Sequence, residues 1–215
     1  MTSQRVNSSL IRAAQTLTLI VRAASGHYHT VGDITSADCV VALSFGYRLV
    51  RTGAREPGPC NEYLASLALA TSRDQPIIAQ IEIDQAIRSL RRGMGADHVI
   101  GSARNPALYL DTFEFAVQVH AIMDDQGWRT TALIAHPHHL PRTQAVFASL
   151  GIETATPGGV RPIWDRESNQ PWTRGPVSWA IHEMAALWWY KRRGKLSCST
   201  IRDSRMRPAW TPEHR

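Results

Sequence analysis

The 215 residues are 43% apolar and 20% charged, with a formal net charge of +6. That is ordinary globular composition for one domain of generous size, large enough to bury a core without disulfides or a structural metal. The charge does not argue for specific nucleic-acid binding: residues 191–215 hold eight Lys/Arg and two Asp/Glu, so residues 1–190 are neutral and offer no basic recognition groove.

Residues 1–37 form a lead-in. The first 32 residues contain no acid, and Leu10, Ala14, Leu17, Val21 and Ala24 recur on one helical face, which predicts an N-terminal surface helix. No run of about 18 apolar residues occurs, so no transmembrane span is expected. Three cysteines, Cys39, Cys60 and Cys198, leave an odd thiol and form no C-x-x-C pair. They argue against a secreted disulfide framework.

From residue 38 the pattern alternates. Asp38–Leu43 reads as a buried first strand, followed by a Gly/Pro-rich loop over Ser44–Cys60. Asn61–Thr71 reads as a helix with Asn61 as its N-cap. Pro76–Ile81 is a second strand, Asp84–Arg92 a helix closed by Gly93, and Asp97–Ile100 a short third strand. Asp111–Gln126 is the longest helical pattern, stopped by Gly127. Thr130–Ala135 is a fourth strand, Pro141–Leu150 a helix stopped by Gly151, and Ile152–Ala155 a last strand. The segment 157–176 is irregular but carries Trp164 and Trp172, which suggests that it lies over the core. Val177–Arg193 is a final helix whose basic last turn suits the negative end of the helix dipole. Its Trp188 and Trp189 are read as core. Residues 194–215 are read as a basic, flexible tail.

Strand and helix alternating in this way imply parallel strands with crossover helices. The expected architecture is α/β, a Rossmann-like three-layer sandwich with a mostly parallel sheet and extra N- and C-terminal helices. Ligands in such sheets bind outside the carboxyl ends of the strands. Those ends carry Ser44, Gly46, Tyr47 and Arg48; Gln80 and Glu82; Gly101, Ser102, Arg104 and Asn105; and His136, His138, His139 and Arg142. Neither G-x-G-x-x-G nor a P-loop lysine is present, and no G-x-S-x-G elbow marks a hydrolase serine.

The histidine cluster allows three readings: metal ligands, a ligand-binding or acid–base histidine, or structural groups capping the loop. The three lie too close in sequence to face one ion easily, and no second His/Asp/Glu cluster has metal spacing, so no metal is expected. Asp111 and Glu114 fit an Asp variant of the capping box; alternatively Thr112 and Glu114 face a ligand from a helix start that is also a possible anion site.

The segment L-I-A-H-P-H-H-L-P-R, residues 133–142, resembles the strand–loop–helix of the YdcF/SanA/ElyC-like family, which there reads H-x-x-R-A. His139 and Arg142 match, and Thr143 stands where Ala is usual. D-T-F-E-F-A resembles the family's T-x-E-N-A through Thr112, Glu114 and Ala116, with Phe115 replacing Asn. H-E-M-A-A-L-W-W-Y-K resembles its closing helix through Glu183 and Tyr190. The first half departs: of the family's glycines after the first strand only Gly46 remains, and the second strand ends A-Q-I-E. A divergent branch using Asn61, Gln80 and Glu82 instead is implied. The resemblance covers residues 38–193.

It implies a Rossmann-like sheet with a pocket at its carboxyl edge and a nucleotide-like ligand, S-adenosylmethionine being one such. The leading expectation is a cytoplasmic protein that binds, or binds and transforms, a small polar or anionic metabolite. His139 and Glu82 would be catalytic, with Arg142 an anion clamp whose loss weakens binding more than stability. Ser44, Gly46, Asn61, Gln80, Thr112, Glu114 and His136 complete the expected ligand-binding set. The alternatives are a non-catalytic regulator, or an accessory factor, including an envelope-biogenesis role as in some family members.

Overall fold

Short apolar strands flanked by amphipathic helices have one economical arrangement, and the chain adopts it. A computed structural model describes residues 30–193; the expected N-terminal helix and basic tail lie outside the described residues. Five strands form one parallel sheet: β1 (Cys39–Ala42), β4 (Ile77–Gln80), β5 (His98–Ile100), β6 (Thr130–Ile134) and β7 (Glu153–Ala155). Their order is β5-β4-β1-β6-β7. The helices are α1 (Pro59–Ser72), α2 (Ile81–Leu90), α3 (Thr112–Gln126), α4 (Leu140–Ser149) and α5 (Pro176–Arg192), with a 3-10 turn at Pro171–Thr173.

Strand β1 is central and wholly buried. It pairs Val40 with Ile77 of β4 on one side and with Ala132 of β6 on the other. Such a strand must be apolar on both faces. Val40 and Ala42 join Leu64, Ala68, Ile83 and Ile87 in one core layer. Val41 joins Phe115, Val119, Met123, Val146 and Phe147 in the other. Helices α1 and α2 therefore cover one face and α3 and α4 the opposite face. Asp38 locks the register at the amino edge: its Oδ2 accepts from Arg129 N, Thr130 N and Thr130 Oγ1 at 2.8, 2.8 and 2.9 Å.

The Rossmann-like α/β sandwich expected from the sequence is present. Gly127 stops α3 in the left-handed conformation, at φ 72°. Two local expectations fail. The N-cap of α1 is Gly58, two residues before Cys60, because Pro59 fits the first helical position and its missing N–H costs nothing there. Asn61 consequently lies inside the first turn. The 44–60 loop also contains a small antiparallel hairpin, β2 (Arg48–Leu49) and β3 (Arg55–Glu56). Two-residue strands leave no periodic signal to read.

The irregular 157–176 segment does pack on the body. Arg48 donates Nε and Nη2 to Asp165 at 2.8 and 2.7 Å. Val160 and Asp165 are buried. Arg48 thus clamps this segment instead of facing the carboxyl-edge cleft. Among the described residues, no helix is long and apolar enough to cross a membrane.

Candidate functional site

The chain runs from β1 outward to β4 and β5, then crosses back to β6 and β7, so the strand order reverses between β1 and β6. Loops leaving the two strands diverge there and open a crevice at the carboxyl edge. A cleft of ≈ 1100 Å³ occupies this place. Ser44, Gly46, Gln80, Glu82, Thr112 and Glu114 all line it, as do His139 and Arg142. Helix α5 and the 3-10 turn supply further walls through Trp172, Trp179 and His182.

The first wall is a polar latch. Gln80 Oε1 accepts from Ser44 N at 2.7 Å and from Ser44 Oγ at 3.0 Å. A backbone N–H can only donate, so the amide oxygen must point at Ser44, and Gln80 Nε2 remains a donor. Gly46 holds φ at 83°. A Cβ there would stand 2.5 Å from Thr173 Oγ1 and 2.6 Å from Ser168 Oγ, so both the backbone and the space require glycine.

Asn61 does not line the cleft. It is fully buried, its Oδ1 accepting from Phe45 N at 2.8 Å and its Nδ2 donating to Gly46 O at 2.7 Å. Both ends of the amide are spent on shaping the loop after β1. The expected ligand contact is thus a supporting one.

The carboxylates are paired. Buried Glu82 receives Arg55 Nη1 at 3.2 Å, and the Arg55 guanidinium also lies 4.5 Å from the Tyr47 ring centroid. Glu114 Oε1 accepts from Arg104 N at 3.0 Å and Arg104 Nε at 2.8 Å, while Oε2 accepts from Arg104 Nη2 at 3.1 Å. These bonds from Arg104 lower the Glu114 pKa to about 2. The capping box is only half made: Asp111 caps α3 by accepting from Glu114 N at 2.8 Å, but the Glu114 side chain turns to Arg104. Tyr190 Oη accepts from Phe113 N at 3.3 Å. Two amides at the α3 start, those of Phe113 and Glu114, are thereby engaged within the protein.

His139 and Arg142 belong to one buried network. Arg142 Nε donates to Glu183 Oε1 at 2.8 Å, Nη1 to Thr112 Oγ1 at 2.9 Å, and Nη2 lies 3.0 Å from His139 Nδ1. A guanidinium has no acceptor, so His139 Nδ1 must accept and the ring proton sits on Nε2, 3.3 Å from Thr112 Oγ1. Burial and the neighbouring guanidinium hold the His139 pKa well below the ordinary histidine value. The expected base is therefore a neutral ring whose free-base nitrogen is already engaged. Arg142 is 6% exposed and its charge is opposed by Glu183, whose own pKa is raised by burial. It is a keystone of the wall, not a free anion clamp.

His136, expected to bind ligand, is a further correction. It is fully buried, stacked on Phe45 with ring centroids 3.8 Å apart and 6° between planes, and edged by Trp164. Its Nδ1 accepts from His138 N at 3.3 Å. The end of β6 is therefore core where a rim was expected, because α5 and the 157–176 segment cover it. Among the described residues, no group of three His, Cys, Asp or Glu is placed to hold a metal ion.

Four cleft residues, Arg55, His182, Trp188 and Trp189, were not singled out from the sequence as site residues. Arg55 sits on the unrecognised hairpin. His182 stacks on Trp172, with centroids 4.5 Å apart and an 11° interplanar angle, and burial with the Arg142 charge lowers its pKa to about 4. Trp188 and Trp189, read as core, are 58% and 44% exposed and border the cleft. Only the tertiary path of α5 across the carboxyl edge could have shown this.

A doubly wound parallel sheet with a polar cleft at its switch point makes this a Rossmann-like α/β protein. No family model, curated protein or solved structure matches the chain, so the geometry carries the functional argument.

Proposed function

We propose that this chain is a divergent YdcF/SanA/ElyC-like protein that binds a small polar or anionic, nucleotide-like metabolite in the carboxyl-edge cleft and acts in the cytoplasm. The observation that carries the reading is the convergence of eight sequence-selected residues on one cleft at the topological switch point, from four separate stretches of chain at the strand ends and helix starts. The cleft pairs flat aromatic surface, at Trp172 and Tyr109, with charge of both signs. A heteroaromatic base suits the rings, and a polar or anionic remainder suits the arginine arms. S-adenosylmethionine, which carries a base and a zwitterionic chain, is one ligand of this kind. Cys39 and Cys60 are free and buried, which supports a reducing compartment.

A regulatory, non-catalytic role is favoured over an enzymatic one by a specific observation: His139 Nδ1 is occupied by a guanidinium, and Glu82 is ion-paired. Neither group is poised to take a proton from a ligand.

Calorimetric titration with nucleotides, nucleosides and S-adenosylmethionine tests the binding reading. One of these should bind, and Arg55→Ala and Arg104→Ala should each weaken it by about 1.5–3 kcal/mol, the scale of a charged hydrogen bond. The panel failing to bind, or both variants binding as the parent does, would overturn the assignment. Turnover of the bound compound would overturn the regulatory reading alone.

A further inference from the structure

Helix α5 presents an apolar surface that the described fold leaves uncovered. Its inner side is Trp179, Glu183, Leu187 and Tyr190, all buried. At 3.6 residues per turn, the opposite side consists of Val177, Ile181, Met184 and Trp188. Their exposures are 73, 63, 50 and 58%. A helix apolar on both sides is ordinarily covered on both, and a contiguous exposed apolar strip marks an interaction surface.

The chemistry at the end of the strip says what kind of surface covers it. Trp188 lies under the Arg192 guanidinium at 5.2 Å, and Trp189 under Arg193 at 3.9 Å. Indole rings flanked by guanidinium groups at the edge of an apolar strip match the boundary between acyl chains and headgroups. The charge distribution agrees: the whole net charge of +6 lies in residues 191–215, beginning in the last turn of this helix, while residues 1–190 are neutral. A second copy of the chain fits poorly, since the only acid on α5 is Glu183, which is buried against Arg142. Packed in parallel, two such strips would bring basic ends together, and packed antiparallel each basic end would lie along the acid-free start of the other helix, so in neither arrangement does a carboxylate of α5 meet them.

We propose that α5 is a peripheral docking helix for an anionic membrane surface. Val177, Ile181, Met184 and Trp188 enter the acyl boundary, and Arg192, Arg193 and the basic charge that begins there meet headgroup phosphates. One short strip or one basic patch alone gives weak adsorption; the two together give stable, reversible attachment. Trp188 stands where the strip meets the rim of the cleft, and the inference does not depend on the ligand in the cleft.

Co-sedimentation of the full chain with vesicles tests it. Vesicles of equal parts phosphatidylglycerol and phosphatidylcholine should bind about ten-fold or more tightly than phosphatidylcholine alone. Binding should fall as salt rises from about 0.1 M to about 0.5 M. The double variant Val177→Asp/Ile181→Asp should lose about ten-fold in binding to the anionic vesicles. It should keep its melting temperature, because both side chains are exposed. Unchanged binding of the variant would overturn the proposal and reduce the effect to charge alone. So would equal binding to both vesicle types. Absence of vesicle binding would also overturn it. If light scattering then showed a dimer dissociated by the same variant, the strip would belong to a second copy; a monomer would mean that the chain covers the strip itself.

Discussion

Removing Arg142 tests the central feature of the site, its buried network. Arg142→Ala leaves Glu183, 2% exposed, without its guanidinium partner. It also strips the 2.9 Å donor from Thr112 and the 3.0 Å donor from His139. Breaking a buried ion pair by deleting one member costs about 3–5 kcal/mol, because the remaining charge is stranded. For a chain of this size each kcal/mol moves the melting temperature by about 2–4 °C, so the expected drop is about 6–20 °C near neutral pH.

The pH dependence gives the sign. Burial already raises the Glu183 pKa, and losing the opposing guanidinium raises it further. A carboxyl raised in the folded state binds more protons folded than unfolded. Its favourable contribution is complete below the unfolded value of about 4.3 and is lost as pH rises through the folded value. The gap between variant and parent should therefore narrow on acidification. Arg142→Met with Glu183→Leu should recover most of the loss, since an apolar pair of similar volume needs no compensation. Thermal unfolding followed by tryptophan fluorescence, between pH 5 and 8, measures all three proteins. Arg142→Ala lying within about 0.5 kcal/mol of the parent at neutral pH would refute the buried network and restore a free anion clamp.

Two further outcomes follow from the same geometry. Asn61→Ala should lose about 2–4 kcal/mol in urea unfolding, because Phe45 N–H and Gly46 C=O are left unpaired in the core, and cleft binding should weaken with the loop; a neutral substitution would show that Asn61 does not hold it. The parent protein should lose stability as pH falls below about 6.5, because buried His136, His138 and His139 and half-buried His182 are held neutral and their lowered values mean that the unfolded chain takes up more protons, four such groups against the one opposing shift of Glu183. A melting temperature flat from pH 7 to 5, or a His182 titration midpoint by NMR near 6.5 where about 4 is expected, would contradict that burial.

The site as a whole is built by pairing charges at its walls. Glu82 with Arg55, Glu114 with Arg104, and Glu183 with Arg142 place three arginines around the cleft, each tied to a carboxylate. Arg55 and Arg104 are 49% and 65% exposed, so these two pairs contribute little to stability, and their remaining N–H donors are available to a ligand. The Arg142 pair is buried and holds the wall. The same side-chain chemistry therefore serves recognition in two places and architecture in the third, and burial decides which.

Local patterning determined the strand–helix order, and with it the fold. β1, β4 and β6 are short β-rich apolar runs, and a strand covered on both faces can be little else. Asp111 as a cap and Gly127 as a stop are likewise local, because each acts on backbone within a few residues. The carboxyl edge as the place of the cleft followed from the parallel order alone. What each residue does there was not local. Asn61 turned inward because its partners, Phe45 and Gly46, lie on the loop after another element. His136 became core because the 157–176 segment brings Trp164 against it, and Arg142 became half of a buried pair because α5 crosses the edge from far along the chain and brings Glu183 over it. Sequence fixes which groups stand at the ends of the strands; solvent access and partners at those ends, and so their charge state and chemical role, are set by whichever distant segment covers them.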